Sequence, residues 1–338
     1  MSMLSINLKI VKGILVPEKI CVIGEGSWGS AIAILLAENG HEINLWCHNP
    51  ENAHSINYSH VNEEYLPKIE LDAKIKGVID FNQAFDGVKL IFEAIPVKFL
   101  RKILQNAKSH FSKDQTWVIL SKGLEQETFL LPSQIVDDVF FMNVKKAAIL
   151  GPSFAHDLIL KKFTGVDISS TNDQIAKDLI KILENNYFKL RFCGDMIGMQ
   201  LCAALKNVIT LAIGIAQGSG FSDNTKAYIF TKGIEQISFL IKELGGSIET
   251  VSRLCGIGDL VLSAFGKFSK NLQLGVEIGQ GKKIKDILNS TNSIPEGINT
   301  IQSVQQLIAK NKLKLSFFEG IYEIIFKGKD FNKVLSTL

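Results

Sequence analysis

Apolar residues follow two rhythms along this chain. In the first half they gather into short continuous runs at 20–23, 42–47, 89–95, 116–120 and 147–150, each closing on small residues or a proline. Runs of that length between glycine, serine and proline breaks predict strands buried on both faces, as in a mostly parallel sheet. The stretch 27–39 instead repeats Ala31, Ile32, Leu35 and Leu36, which predicts a helix stopped by Asn39-Gly40. Two further strand candidates lie at 165–169 and 188–192. From about Ile197 the rhythm becomes helical. Residues 197–217 are almost wholly apolar, 227–244 are amphipathic and end at Gly245-Gly246, and 298–310 place Ile301, Val304, Leu307 and Ile308 on one face. The expected architecture is α/β: a doubly wound sheet over 18–195, then an all-α domain over 196–338, with a cleft between them. Residues 1–17 read as an N-terminal extension or an upstream start.

The first strand runs into Gly24-Glu25-Gly26-Ser27-Trp28-Gly29. A G-x-G-x-x-G turn between a buried strand and a helix predicts a Rossmann-like dinucleotide site. Gly24 makes the tight turn, Gly26 lets the backbone approach a pyrophosphate, and Gly29 permits close helix–strand packing. The helix start would aim N–H groups and its positive dipole end at phosphate.

Composition narrows the function classes. With 338 residues, 46% hydrophobic and 21% charged, the chain fits an ordinary globular protein of about two domains. A net charge of +3, without a basic tract carrying aromatics, argues against nucleic acid. Basic residues are nearly all lysine, arginine occurring at 101, 191 and 253 alone. The five scattered cysteines include no C-x-x-C pair, which suits a reducing, cytoplasmic setting. No signal-peptide pattern opens the chain, and the longest uncharged stretch, 207–222, is too short and polar for membrane insertion. His54 and His60 lie in a polar segment without a matching ligand array, so no metal is expected.

Four segments combine small residues with one charged or polar group: Ser121-Lys122-Gly123-Leu124-Glu125, Gly151-Pro152-Ser153-Phe154-Ala155, Leu205-Lys206-Asn207-Val208 and Gly256-Ile257-Gly258-Asp259-Leu260. On the residues alone, Lys206 in its apolar helix either snorkels to the surface or is a proton-transfer group of lowered pKa. Asp259 is either an N-cap or a functional carboxylate.

Taken in order, these segments resemble bacterial NAD(P)-dependent glycerol-3-phosphate dehydrogenases. The matching stretches are GEGSWG at 24–29, SKGLE at 121–125, GPSFAHD at 151–157, LKNV at 205–208, GIGDLVL at 256–262, SKN at 269–271 and PEGINT at 295–300. The resemblance implies reduction of dihydroxyacetone phosphate to sn-glycerol 3-phosphate for glycerophospholipid synthesis. It implies a small phosphorylated substrate as the partner, and a homodimer is compatible with it. Gly24, Gly26, Ser27, Trp28 and Gly29 would form the pyrophosphate turn, with His48 beside the adenosine ribose. Lys206 would exchange the proton of the substrate carbonyl oxygen. Lys122 would approach nicotinamide and substrate, and Asp259 would orient Lys206 and a substrate hydroxyl. Gly151, Ser153 and Asn207 would bind substrate, and Ala155 would face the cofactor. Ser269, Lys270 and Asn271 would hold the phosphate, Lys270 also reaching the cofactor, while Ile294 and Glu296 would close over the cofactor.

The sequence departs from the family pattern in places. Lys270 and Lys232 stand where arginines are usual, and a point-charge lysine cannot reproduce a bidentate guanidinium. His156 replaces a usual lysine and reads as peripheral. Glu93-Ala94 replaces an aliphatic strand end, with a solvated carboxylate as the default reading. No Asp or Glu occurs over 44–49, which tilts the cofactor expectation towards dual use of NADP and NAD, NADPH slightly favoured. A related β-hydroxyacid or 2-keto-acid reductase is the first rival, and a non-enzymatic dinucleotide-binding redox sensor the second. The intact set of Lys122, Lys206 and Asp259 argues against both.

Overall fold

The computed structural model describes residues 17–141, 143–290 and 295–338. The strands are β1 Lys19–Ile23, β2 Glu42–Trp46, β3 Val61–Asn62, β4 Leu66–Glu70, β5 Ile75–Val78, β6 Leu90–Glu93, β7 Thr116–Ile119, β8 Lys145–Leu150, β9 Thr164–Ser170 and β10 Phe188–Phe192. Eight form one sheet in the order β10-β9-β8-β7-β6-β1-β2-β5, while β3 and β4 make a separate antiparallel pair. Neighbours in the large sheet are parallel except β8 and β9, so β9 and β10 run against the other six. Along β1 the side chains divide between two cores. Ile20 and Val22 join the core under helix Ser27–Glu38, and Cys21 and Ile23 join the core under helix Val97–Ala107. Burial on both faces is why the central strands read as unbroken apolar runs.

Helix Met196–Gly218 is the hinge between sheet and helical layer. Met199 and Ala203 pack into the sheet-side core, whereas Leu205, Val208, Ile209 and Leu211 belong to the helical core. The helix is buried from Gly198 through Ala216. Among the described residues it is the one helix long and apolar enough to cross a membrane, and its apolar surface is already covered within the molecule. Asp195 caps it. One carboxylate oxygen accepts from the Gly198 N–H at 2.8 Å, and the other accepts from Ser247 N and Thr250 Oγ1.

Two parts of the sheet domain depart from the run-then-helix pattern read from the sequence. The short edge strand β5 and the β3–β4 pair have no strong apolar run. The loop after β7 does not pass straight into a helix: Leu124 and Leu131 first insert into the helical core. The extension expected over 1–17 lies, except for Pro17, outside the described residues, as does Ile294.

Candidate active site

The glycine turn has the geometry a pyrophosphate requires. Gly24 takes φ +106°, and a Cβ on Gly29 would stand 1.9 Å from the Gly24 carbonyl oxygen. Gly26 faces open space, with nothing within 4 Å of an added Cβ. It caps helix Ser27–Glu38 without a side-chain hydrogen bond, so the first-turn N–H groups point at that space. Ser27 is exposed there, and Trp28 and Ala155 are half-buried against the same core. These residues fit a bound dinucleotide.

The end of β2 corrects one expectation. Residues 44–49 contain no carboxylate, but Glu25 of the glycine turn supplies one. Its Oε1 accepts the backbone N–H groups of His48 and Asn49, both at 3.0 Å. The His48 ring itself is exposed.

Sheet and helical layer meet at Asp259. Its Oδ1 accepts from Lys206 Nζ at 2.5 Å and its Oδ2 from Lys122 Nζ at 2.7 Å. Lys206 also donates to Ser263 Oγ at 2.7 Å, and Lys122 to the Gly151 carbonyl at 3.1 Å. Ser153 Oγ donates to the same carbonyl. Lys206 does not snorkel: it is 6% exposed, because its helix is walled on every side. Burial pulls its ammonium down to about 8, the Asp259 charge opposes the fall, and Lys122 adds to it. Asp259 is not an N-cap either. Gly258 holds that position, and Asp259 opens helix Asp259–Phe265 after the irregular turn Leu254–Gly258. Fully buried Asp167 of β9 anchors that turn, accepting from Cys255 N at 2.8 Å and from Arg253.

The segment 269–271 meets the helix of Lys206 at Asn207. Asn271 Nδ2 donates to Asn207 Oδ1 at 3.1 Å, and Asn271 Oδ1 accepts the Gly297 N–H at 2.9 Å. Ser269 is the N-cap of helix Lys270–Gly279, accepting from Leu272 N. Lys270 is therefore the first residue of a helix whose positive end lies beside Asn207, the residue after Lys206. Glu296 opens helix Glu296–Asn311, and a Cβ on Gly123 would stand 3.5 Å from its Oε2. Burial pushes the Glu296 carboxyl up to about 7 against the opposing Lys98 charge. Lys232 lies apart from this group, paired with Glu235. His156 is exposed beside Asp157 and Phe268.

Glu93 is a second correction. It is fully buried, not solvated, and its Oε1 accepts from Ser121 Oγ at 2.7 Å. Burial pushes its carboxyl up to about 8, with the hydrogen bonds from Ser121 and Ile95 restraining the rise. Sequence reasoning also missed Asp167, Asp195 and Ser263, whose side-chain partners lie 52 or more residues away, apart from the local cap Asp195 makes with Gly198.

The family model for the N-terminus of NAD-dependent glycerol-3-phosphate dehydrogenase matches residues 19–176, and the model for its C-terminus matches 195–336. The glycerol-3-phosphate dehydrogenase, NAD(P)+, of Geobacillus thermodenitrificans is 36% identical over 323 residues, 95% of this chain and 94% of its own. That of Bacillus subtilis is 33% identical over the same length, with the same shares covered. The crystal structure of glycerol-3-phosphate dehydrogenase from Coxiella burnetii superposes with a TM-score of 0.90 at 28% identity, covering 95% of this chain and 98% of that one. A G-x-G-x-x-G turn between strand and helix, a buried aspartate bridging two lysines and full-length similarity lead to one conclusion: this chain belongs to the NAD-dependent glycerol-3-phosphate dehydrogenase family.

Proposed function

We propose that the chain catalyses the reversible, NAD(P)H-dependent reduction of dihydroxyacetone phosphate to sn-glycerol 3-phosphate. The observation that carries this reading is Asp259 bridging Lys206 and Lys122, one from each layer. A bound nicotinamide supplies the hydride for the carbonyl carbon. Lys206, protonated below about pH 8, donates a proton to the carbonyl oxygen as negative charge develops there. Asp259 holds the Lys206 ammonium in place and keeps burial from discharging it. Two ammonium groups around one carboxylate leave a net positive site, which favours an anionic transition state. Ser269, Lys270 and Asn271 present the helix N-terminus to the substrate phosphate, while Gly151, Ser153 and Asn207 line the substrate.

We assign 18–195 to the cofactor unit and 196–338 to the substrate unit, a division supported by the end of β10 at Phe192 and the start of the next helix at Met196. The role in glycerophospholipid synthesis and a homodimeric state belong to the same proposal and rest on the family resemblance. A cytoplasmic location rests on five buried cysteine thiols, all free.

The test is consumption of NADH and of NADPH by the purified chain with dihydroxyacetone phosphate. Turnover with at least one of them, and much weaker turnover of unphosphorylated dihydroxyacetone, is expected. Oxidation of neither cofactor would overturn the assignment.

A further inference from the structure

Dinucleotide sites of this topology read the adenosine ribose at the end of the second strand, where an acidic side chain accepts the 2′-hydroxyl. In this chain β2 ends without one. The fold brings a carboxylate there from a different direction. Gly24 N donates to Trp46 O at 3.1 Å, so the glycine turn lies against the β2 terminus. From that turn Glu25 reaches across, and its Oε1 takes the N–H groups of both His48 and Asn49. The residue is 5% exposed and fixed from behind as well. Its carbonyl oxygen accepts from Ser30 Oγ at 2.8 Å and from Asn62 Nδ2 at 2.7 Å. A second carboxylate stands close by, since Asn49 Nδ2 donates to Glu64 Oε2 at 3.1 Å.

We propose that Glu25 sets the cofactor preference of this enzyme by accepting the ribose 2′-hydroxyl of NADH and opposing the 2′-phosphate of NADPH. The proposal rests on the dinucleotide site assigned above. Two effects act together. The backbone donors of His48 and Asn49, which a 2′-phosphate would use, are already bound to Glu25. A phosphate placed beside them would also lie against that carboxylate at close range, where like charges repel strongly. A hydroxyl meets neither obstacle and gains a charge-assisted hydrogen bond. This reverses the slight NADPH preference that the bare β2 terminus suggests.

The test is direct binding, by calorimetry, of NADH, NADPH and the fragments 5′-AMP and adenosine 2′,5′-bisphosphate to the full chain, its Glu25→Gln variant and its Glu25→Ala variant. Glu25→Gln keeps an acceptor for the two N–H groups and removes only the charge, so it guards against a loss of fold in Glu25→Ala. The wild type is expected to bind NADH at least about tenfold more tightly than NADPH. Glu25→Gln should shrink that ratio by about tenfold, equivalent to ~1.4 kcal/mol, chiefly by tightening the two 2′-phosphorylated ligands. Equal wild-type affinities, or a ratio unchanged in Glu25→Gln, would overturn the role of Glu25 alone. A wild type that binds neither nicotinamide cofactor would overturn the dinucleotide reading and this proposal together.

Discussion

At the scale of single residues, three charged side chains sit where charge is disfavoured, and each has a different remedy. Lys206 has Asp259, Asp259 has two lysines, and Glu93 has only hydroxyl and backbone donors. Glu93 therefore resolves its burial by holding a proton, its carboxyl standing at about 8 against an ordinary 4.5. The folded chain keeps a proton that the unfolded chain releases across that window. Its contribution to stability is therefore fully present below about pH 4.5 and is lost as pH rises through about 8. Glu93→Gln should abolish this slope. Its stability relative to wild type is expected to rise by ~2–4 kcal/mol between about pH 5 and about pH 9 in denaturant titrations. Parallel stability curves would contradict a protonated Glu93. The sequence hid this residue for a plain reason. A carboxylate at a strand end looks solvated until the neighbouring strands are known, and here β1 and β7 flank it on both sides. Lys206 was left open between two readings for the same reason, because snorkelling needs a wet face and only the fold shows that its helix has none. The glycines were legible because their constraint is local.

At the scale of elements, the contact that places the proposed substrate end of the site is a glycine seam. Gly214 and Gly218 on helix Met196–Gly218 face Gly275 and Gly279 on helix Lys270–Gly279. A Cβ on Gly275 would fall 2.3 Å from the Leu211 carbonyl oxygen, and one on Gly214 would fall 2.4 Å from that of Leu272. Backbones this close bring Asn271, in the first turn of its helix, against Asn207. Gly275→Ala should gain at most ~1 kcal/mol of helix propensity and lose more to overpacking, for a net destabilisation of about 1–3 kcal/mol. Because the helix must move outward, KM for dihydroxyacetone phosphate should rise more than kcat falls. An unchanged melting temperature and KM would show that the seam does not position the phosphate end. Helices and central strands were readable from periodicity, as 27–39 and 116–120 show. The edge strand Ile75–Val78 was not, since its Lys76-Gly77 interior breaks the apolar run. Nor was the reversal of β9 and β10, which depends on pairing and not on local pattern.

At the scale of the whole molecule, the site exists only where two layers meet. Lys122 arrives on the loop after β7, and Lys206 and Asp259 arrive on two helices of the other unit. The join is reinforced by Asp167 with Arg253 and Cys255, and by Ser303 Oγ donating to the Leu124 carbonyl. The chain order of the motifs revealed which residues belong together; their distances needed the fold. The central claim is that Lys206 gives its proton to the substrate carbonyl. The most direct test is kcat for dihydroxyacetone phosphate reduction by Lys206→Met, a variant that keeps the volume and leaves Asp259 paired with Lys122. The account predicts a loss of at least ~10²-fold, the usual contribution of a general acid. A kcat within about threefold of wild type would contradict it.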